Sequence, residues 1–182
     1  MSKKDLLYSS IFIGVIVVAL ILFRTFVFTP VNVIGNSMDP TLKNGERLIA
    51  LNHEKAERFD IVTFNAPDDP NKVYIKRVIG LPGDKIEFMD DVLYINGKIY
   101  HEPYLEKFKQ KNFDGEPFTY DFNLDKLFGE KTVPKGKVFL LGDNRRVSKD
   151  SRVLGFVNKD KLRGVIKFAF WPLEKFGPVT NP

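Results

Sequence analysis

Three short segments of this 182-residue chain contain the residues best suited to chemistry. Residues 35–42 (GNSMDPTL) place Ser37 in a turn between a glycine and a proline, and residues 74–84 (YIKRVIGLPGD) contain Lys76. Residues 142–152 (GDNRRVSKDSR) are dense in charged and hydroxyl side chains. A serine hydroxyl is a poor nucleophile until a nearby base accepts its proton, and a neutral lysine amine is one such base. The segments therefore favour a nucleophile and base formed by Ser37 and Lys76.

Lysine can act as a base near neutral pH only where burial lowers its pKa from about 10.4. Side chains alternate between the faces of a strand, so Lys76 shares its face with Tyr74 and Val78, while Arg77 points the other way. That face is apolar, which predicts a partly desolvated amine with a lowered pKa. The simpler alternatives are a serine that caps a turn and an edge-strand lysine with its amine in water.

The composition argues against several other kinds of site. The chain has no cysteine, which excludes disulfides, thiolate nucleophiles and cysteine-based zinc sites. Its two histidines, His53 and His101, have no arrangement typical of a metal site. The net charge of +5 comes without a concentrated basic run, which a nucleic-acid binder usually has. We therefore expect no metal, no cofactor and no nucleic acid.

The N-terminal segment predicts an anchor in a lipid bilayer. Residues 6–23 carry no charge, and at about 1.5 Å per residue they nearly span a hydrocarbon core of roughly 30 Å. A cleaved signal peptide would have a shorter apolar core and a small-residue cleavage site, and a buried core helix would have a polar face. Lys3 and Lys4 precede the span, so the positive-inside rule places the N-terminus in the cytoplasm. The predicted parts are a cytoplasmic N-terminus (1–5), a transmembrane anchor (6–28) and an extracytoplasmic domain (29–182).

The extracytoplasmic part reads mainly as short strands. They are rich in valine, isoleucine and aromatic residues and are bounded by turn residues. Asn96 and Gly97 predict a tight hairpin turn before a strand at 98–100, because both positions of that turn need positive φ. The other predicted strands are 31–34, 47–51, 61–64, 73–79, 85–89, 92–95, 138–141 and 164–171.

The predicted fold is mainly β: an antiparallel β-sheet catalytic core preceded by one transmembrane helix. Periodicity is weak from about residue 101 to 132, which we interpret as part of a small, loop-rich cap subdomain inserted at 98–134. A flexible surface insertion is the alternative. Residues 176–182 read as a frayed tail.

The third segment predicts a scaffold for the reactive pair. Asp143, Arg145, Asp150 and Arg152 can form charge-assisted hydrogen bonds, and Arg77 is also available for them. Ser148 could hold the Lys76 amine by a hydrogen bond. A solvated charged loop is the alternative for any one of these residues, but it explains their joint density less well.

Taken together, these motifs resemble those of type I signal peptidases (peptidase family S26), in the short single-span form of Gram-positive bacteria. The resemblance covers nearly the whole chain and is specific only in combination. It rests on the anchor, NSMDPTL, RFDIVTF at 58–64, KRVIGLPGDK at 76–85, GDNRRVSKDSR at 142–152 and KFAFWP at 167–172. It implies a membrane-bound serine endopeptidase that cleaves N-terminal signal peptides from exported preproteins after small residues (A-x-A).

The resemblance also implies roles for particular residues. Ser37 corresponds to the nucleophile, Lys76 to the general base and Ser148 to the residue that orients the lysine. Arg77, Asp143, Asp150 and Arg152 correspond to a structural polar network. An extended substrate strand would pair between the segments that lead into the serine and the lysine. Pockets for its small side chains would be lined by Val33, Met38, Leu42, Tyr74 and Ile75.

Gly35 departs from the Gram-negative members, in which a serine hydroxyl at this position assists the oxyanion hole. The evident oxyanion donor here is the backbone N–H of Ser37, with a second donor left open. Because those relatives accommodate serine, we expect Gly35 to have φ below zero, so that Gly35→Ser keeps or raises activity.

Three other functions are compatible with parts of the sequence. A membrane-tethered binding protein without catalysis would not depend on Lys76. A penicillin-binding acyltransferase needs S-x-x-K, and Pro40 occupies that lysine position relative to Ser37. A self-cleaving repressor with a serine and lysine pair would carry a DNA-binding helix pair in place of the membrane span.

Overall fold

The structure is a computed structural model, and it describes residues 3–179. Helix α1 (Lys3–Val27) forms the N-terminal segment. Its stretch Lys4–Ile21 has a mean hydropathy of 2.0 and packs against nothing else in the described chain, so it is long and apolar enough to span a bilayer. Residues 1 and 2 of the expected cytoplasmic N-terminus lie outside the described residues.

Nearly every predicted strand is present within residues 3–179. The described strands are β1 (Phe28–Asn32), β2 (Arg47–Leu51), β3 (Ile61–Asn65), β4 (Val73–Gly80), β5 (Ile86–Met89), β6 (Val92–Ile95), β7 (Lys98–Tyr100), β8 (Phe122–Asn123), β9 (Lys137–Leu141), β10 (Val157–Asn158), β11 (Leu162–Trp171) and β12 (Gly177–Pro178). The hairpin between β6 and β7 turns at Asn96 and Gly97, which both have positive φ as predicted.

The strands form two antiparallel sheets, which confirms the predicted fold class. The larger sheet has the order β1-β2-β11-β3-β4-β9-β10, with β12 added against β11. The smaller sheet has the order β7-β6-β5-β8. Large aliphatic and aromatic side chains of both sheets, such as Ile79, Phe88 and Phe139, share one buried cluster, which fixes the smaller sheet on the larger one.

The smaller sheet and its helices lie between β4 and β9 in the chain. Residues 98–134 hold more regular structure than their weak periodicity indicated, namely β7, helix α2 (Pro103–Lys111), β8 and helix α3 (Leu124–Phe128). Both helices are short, and α2 buries only Leu105 along its length. Such helices give little periodic signal, because their stability comes from tertiary packing rather than from a long apolar stripe.

The two ends of the domain differ from expectation. The first strand begins at Phe28, directly after α1, rather than at Val31. The tail predicted to be frayed at 176–182 is partly ordered, because β12 pairs with β11 and Phe176 packs edge-to-face on Phe168 at 4.9 Å. Residues 180–182 of the expected tail lie outside the described part of the chain.

Strand β4 has a neighbouring strand along only half of one edge, and the candidate site lies at the other half. Its second half, from Arg77 to Gly80, pairs with β9 on one side, and residues 73–77 pair with β3 on the other. From Val73 to Lys76 the side facing away from β3 carries no strand in the described structure. The chain that follows β1 lies across this open edge and brings Ser37 to Lys76.

Candidate active site

Ser37 lies in a tight turn that is fixed by backbone hydrogen bonds and by packing on the hydrophobic core. The Asp39 N–H donates to the Asn36 carbonyl, and the Leu42 N–H donates to the Met38 carbonyl. Met38 and Leu42 are both buried in the cluster under the turn. The Ser37 carbonyl accepts a hydrogen bond from the Asn144 N–H at 3.1 Å, which ties the turn to the third segment.

Lys76 is buried and points at Ser37. Its side chain is only 3% exposed, and its Nζ lies 2.8 Å from the Ser37 Oγ. The Nζ also donates to the Ile75 carbonyl at 2.9 Å. Burial lowers the pKa of Lys76 to about 8, although the charges of Asp150 and Asp143 oppose the shift. About half of the amine is therefore neutral near pH 8, where free lysine would be almost wholly protonated.

Ser148 does not hold the Lys76 amine. Its hydroxyl is buried and has no hydrogen-bond partner among the described residues. The Oγ instead lies close to Gly142: a Cβ at Gly142 would lie 2.1 Å from it and 2.5 Å from the Ser37 carbonyl. The absence of a side chain at Gly142 is what lets these groups converge, and the predicted bond between Ser148 and Lys76 is absent from this arrangement.

The negative φ expected for Gly35 is wrong. Its φ is +84°, a backbone conformation that a residue with a Cβ rarely adopts. The Gly35 N–H donates to the Asn44 side-chain carbonyl at 2.9 Å, which holds the loop in this shape. Glycine adopts either sign of φ readily, so the sequence could not reveal which one the turn uses.

Arg77 and Asp143 form a buried pair behind the reactive residues. The Arg77 Nε and Nη2 donate to the two Asp143 carboxylate oxygens at 2.9 and 2.6 Å. Both side chains are almost fully buried. Arg77 also donates to the Phe59 carbonyl at 2.8 Å and stacks on Tyr104. The pair links β4 to the start of the third segment and so fixes the position of Lys76 relative to Ser37.

Asp150 and Arg152 organise the loop after β9. Asp150 accepts from the Gly142 N–H at 3.0 Å and from the Arg152 Nε at 2.9 Å. Arg152 in turn donates to the Arg145 carbonyl at 2.7 Å. The four residues predicted to form one polar network form two groups, with Arg77 and Asp143 in one and Asp150 and Arg152 in the other.

Residues 98–134 contribute a buried partner that was not predicted from the sequence. Glu102, just before α2, forms a buried ion pair with Arg145, which lies two residues after Asp143. Burial opposes ionisation of the Glu102 carboxyl, yet the contact with Arg145 holds its pKa below the usual value. Tyr104 donates to Glu102 at 2.6 Å. No local pattern marks Glu102, because its partner is more than forty residues away.

An open groove leads to the reactive pair. A cavity of about 260 Å³ lies between the chain entering Ser37 and the open edge of β4, and Val147 and Lys149 close its far side. Four of the five residues predicted to form small pockets line it: Val33, Met38, Tyr74 and Ile75. Leu42 does not line it and packs below with Val33 and Met38.

The arrangement offers a hydroxyl, a neighbouring amine and a free backbone donor. The Ser37 N–H has no hydrogen-bond partner within residues 3–179, so it is available to an oxygen placed in the groove. Within the same residues no group of three or more metal-binding side chains occurs. Such a site can activate a serine for attack on a carbonyl and bind the oxyanion that forms.

Comparison with protein families gives this geometry its context. The model of the family described as signal peptidase, peptidase S26, matches residues 6–171. The chain belongs to the signal peptidase family. The family's enzymes are serine peptidases, and its signal peptidases I are membrane enzymes.

Curated relatives and a solved structure that resemble this chain are also signal peptidases. Signal peptidase IB of Staphylococcus aureus is 43% identical over 99% of this chain and 97% of its own. Signal peptidase I of Bacillus caldolyticus is 46% identical over 91% of this chain and 90% of its own. The crystal structure of a signal peptidase I from Enterococcus faecalis is 45% identical, with a TM-score of 0.59, and covers 62% of this chain and 97% of its own.

Proposed function

We propose that this chain is a membrane-anchored endopeptidase that removes N-terminal signal peptides from exported preproteins. Its nucleophile is Ser37 and its general base is Lys76. The observation that carries the proposal is the distance of 2.8 Å between the Ser37 Oγ and the buried Lys76 Nζ. The family membership and the names of the relatives support the substrate class.

In the proposed reaction the neutral Lys76 amine takes the Ser37 proton as the Oγ attacks the scissile carbonyl. The oxyanion that forms accepts a hydrogen bond from the Ser37 N–H. The protonated amine then gives its proton to the leaving amine, and water releases the acyl group with Lys76 again as base. Arg77, Asp143, Asp150 and Arg152 act as positioning residues, and Ser148, which makes no hydrogen bond to Lys76 in the structure, takes no part in this mechanism.

The substrate binds as an extended strand against the open edge of β4. Its main chain pairs with residues 73–76, where β4 has no neighbour on one side. The small cavity beside Ser37 favours alanine or similarly small residues at the first and third positions before the cut. Overpacking by a larger side chain typically costs about 1–3 kcal/mol.

Cleavage of a preprotein by the full-length protein in detergent micelles tests the proposal. Mass spectrometry should find a new N-terminus directly after an A-x-A sequence, and phenylalanine at the position before the cut should slow cleavage at least several-fold. Ser37→Ala and Lys76→Ala should each abolish the product, and the double variant should be no worse, because nucleophile and base act as a unit. Full activity of folded Ser37→Ala would refute the mechanism.

A further inference from the structure

A second cavity continues the groove away from Ser37. It has a volume of about 580 Å³ and shares Asn32, Ile34, Val73 and Tyr74 with the cavity at the reactive pair. We call it the upstream cavity. It lies between β1 and the start of β4, and Thr63 of β3 and Arg163 of β11 also line it. Ile34 lines both cavities and is 88% exposed, so the two cavities adjoin at the protein surface.

The upstream cavity opens next to the membrane anchor. Thr29 and Pro30 line it, and α1 ends just before them at Val27. Under the proposed function, on which this inference rests, the apolar part of the signal peptide stays in the bilayer while its end reaches Ser37. The peptide then enters from the anchor side and runs parallel to β4, from Val73 towards Lys76.

Strand spacing shows how much of the peptide the upstream cavity can hold. An extended chain advances about 3.3 Å per residue, so a paired substrate keeps step with β4. Val73 lies three residues before Lys76 and Lys72 lies four before it. With the first residue before the cut beside Lys76, the fourth to sixth residues lie beside Val73, Lys72 and Asn71, which all line the upstream cavity.

The charged side chains that line this cavity are both cations. Lys72 pairs with Asp69 at 2.9 Å, outside the lining. Arg163 is exposed and has no ion-pair partner among the residues that the structure describes. A substrate side chain here meets uncompensated positive charge, which attracts an acidic group and repels a basic one.

We propose that the upstream cavity binds the fourth to sixth substrate residues before the cut, and that Arg163 makes it favour acidic over basic side chains there. The effect is moderate because the charges are solvated. We expect about a three- to fivefold difference in kcat/KM between an acidic and a basic residue. Arg163 is thus a specificity residue of a site separate from the pockets beside Ser37.

Three matched preproteins test the proposal, identical except for Glu, Gln or Lys at the fifth position before the cut. They are cleaved by the full-length protein in neutral detergent at low salt. The wild type should cleave the Glu substrate about three- to fivefold faster than the Lys substrate, and Arg163→Glu should reverse the order. Lys161→Glu makes the same change of net charge two residues away, outside the upstream cavity, and should keep the wild-type ratio. High salt should bring that ratio towards one, because it screens solvated charges.

Equal kcat/KM for the Glu and Lys substrates, with normal cleavage of both, would overturn this inference and leave the proposed function intact. Failure of the wild type to cleave any of the three would refute the proposed function and the inference with it. Equal cleavage together with Arg163-dependent binding to phosphatidylglycerol vesicles would assign the cavity to lipid headgroups instead. If Arg163→Glu does not fold, Arg163→Gln must still bring the ratio close to one, and an unchanged ratio there would contradict the inference.

Discussion

At the scale of single residues, the burial of the Lys76 amine lowers the stability of the fold and makes the proposed catalysis possible. Its amine is buried among Tyr74, Val78 and the Ser37 turn, where a positive charge is poorly solvated. The pKa of about 8 is the consequence, and burial is its cause. The folded state therefore binds the proton of Lys76 less tightly than the unfolded chain does, and stability must depend on pH.

We expect Lys76→Met to raise stability at pH 7 while it abolishes cleavage. Between the folded pKa near 8 and the unfolded value of 10.5, the unfolded wild type holds more protons, so its stability rises with pH. Below pH 8 the whole penalty applies, about 3 kcal/mol at roughly 1.36 kcal/mol per pKa unit. Denaturant unfolding in micelles at pH 7 and pH 10 measures this. A stability difference between the two proteins that does not shrink at pH 10 would contradict the burial argument.

Gly35 yields a second prediction at the residue scale. Gly35→Ser should lower kcat/KM, because its φ of +84° strains any residue with a Cβ and the turn that holds Ser37 must shift. Gly97 also has positive φ but lies in a distant hairpin, so Gly97→Ser should cost similar stability and leave kcat/KM unchanged. Gly35→Asn should harm activity less than Gly35→Ser, because asparagine tolerates this conformation better. Undiminished activity of Gly35→Ser would mean that the turn adapts.

At the scale of elements, buried ion pairs connect β4, the loop after β9 and the start of α2 around the site. Arg77 with Asp143 joins β4 to the loop after β9, and Arg145 with Glu102 joins that loop to the start of α2. Breaking such a pair leaves a charge buried without its partner, which costs far more than the pair itself contributes.

Arg77→Met and Asp143→Leu should therefore each lower the free energy of unfolding by about 3–5 kcal/mol. The double variant should lose much less than the sum, because no unpaired charge is left. Lys85→Met breaks the exposed contact with Glu87 and should cost less than about 1 kcal/mol. Denaturant titration of the four variants measures these values, and additive losses at Arg77 and Asp143 would show that the two residues act independently.

The elements also show which features a sequence can predict. The anchor, most strands and the hairpin at Asn96 carry local signals, namely uninterrupted apolarity, alternation and turn chemistry. The motifs around Ser37 and Lys76 were found because their residue types are chemically unusual together. Glu102 was not predicted, and the sign of φ at Gly35 and the position of Leu42 were predicted wrongly, since each depends on contacts between residues far apart in the chain.

At the scale of the whole molecule, the anchor and the site are close along the chain. Ser37 follows Val27, the last residue of α1, by ten residues. An extended chain of that length spans at most about 35 Å, so the proposed anchoring by α1 would keep the groove within about that distance of the membrane surface. Under the proposed function, a substrate whose apolar segment remains in the bilayer would then reach the groove without leaving the membrane.

The proposed orientation is tested in bacterial cells that express the full-length chain with a tag at each end. Protease added to spheroplasts should destroy the C-terminal tag, while the N-terminal tag survives until the membrane is permeabilised. The reason is that Lys3 and Lys4 precede the span and the positive-inside rule keeps them in the cytoplasm. Protection of the C-terminal tag in intact spheroplasts would reverse the proposed topology.

The pH dependence of kcat/KM tests the central claim most directly, namely that a buried, neutral Lys76 takes the proton of Ser37. Activity on a preprotein should rise about tenfold per pH unit at acidic pH and level off above an apparent pKa near 8, the value that burial gives Lys76. The pH dependence should be the same at low and high salt, because the amine is shielded from solvent. An activity that still rises through pH 10, with an apparent pKa near that of free lysine, would mean that the amine is solvated and would contradict the account.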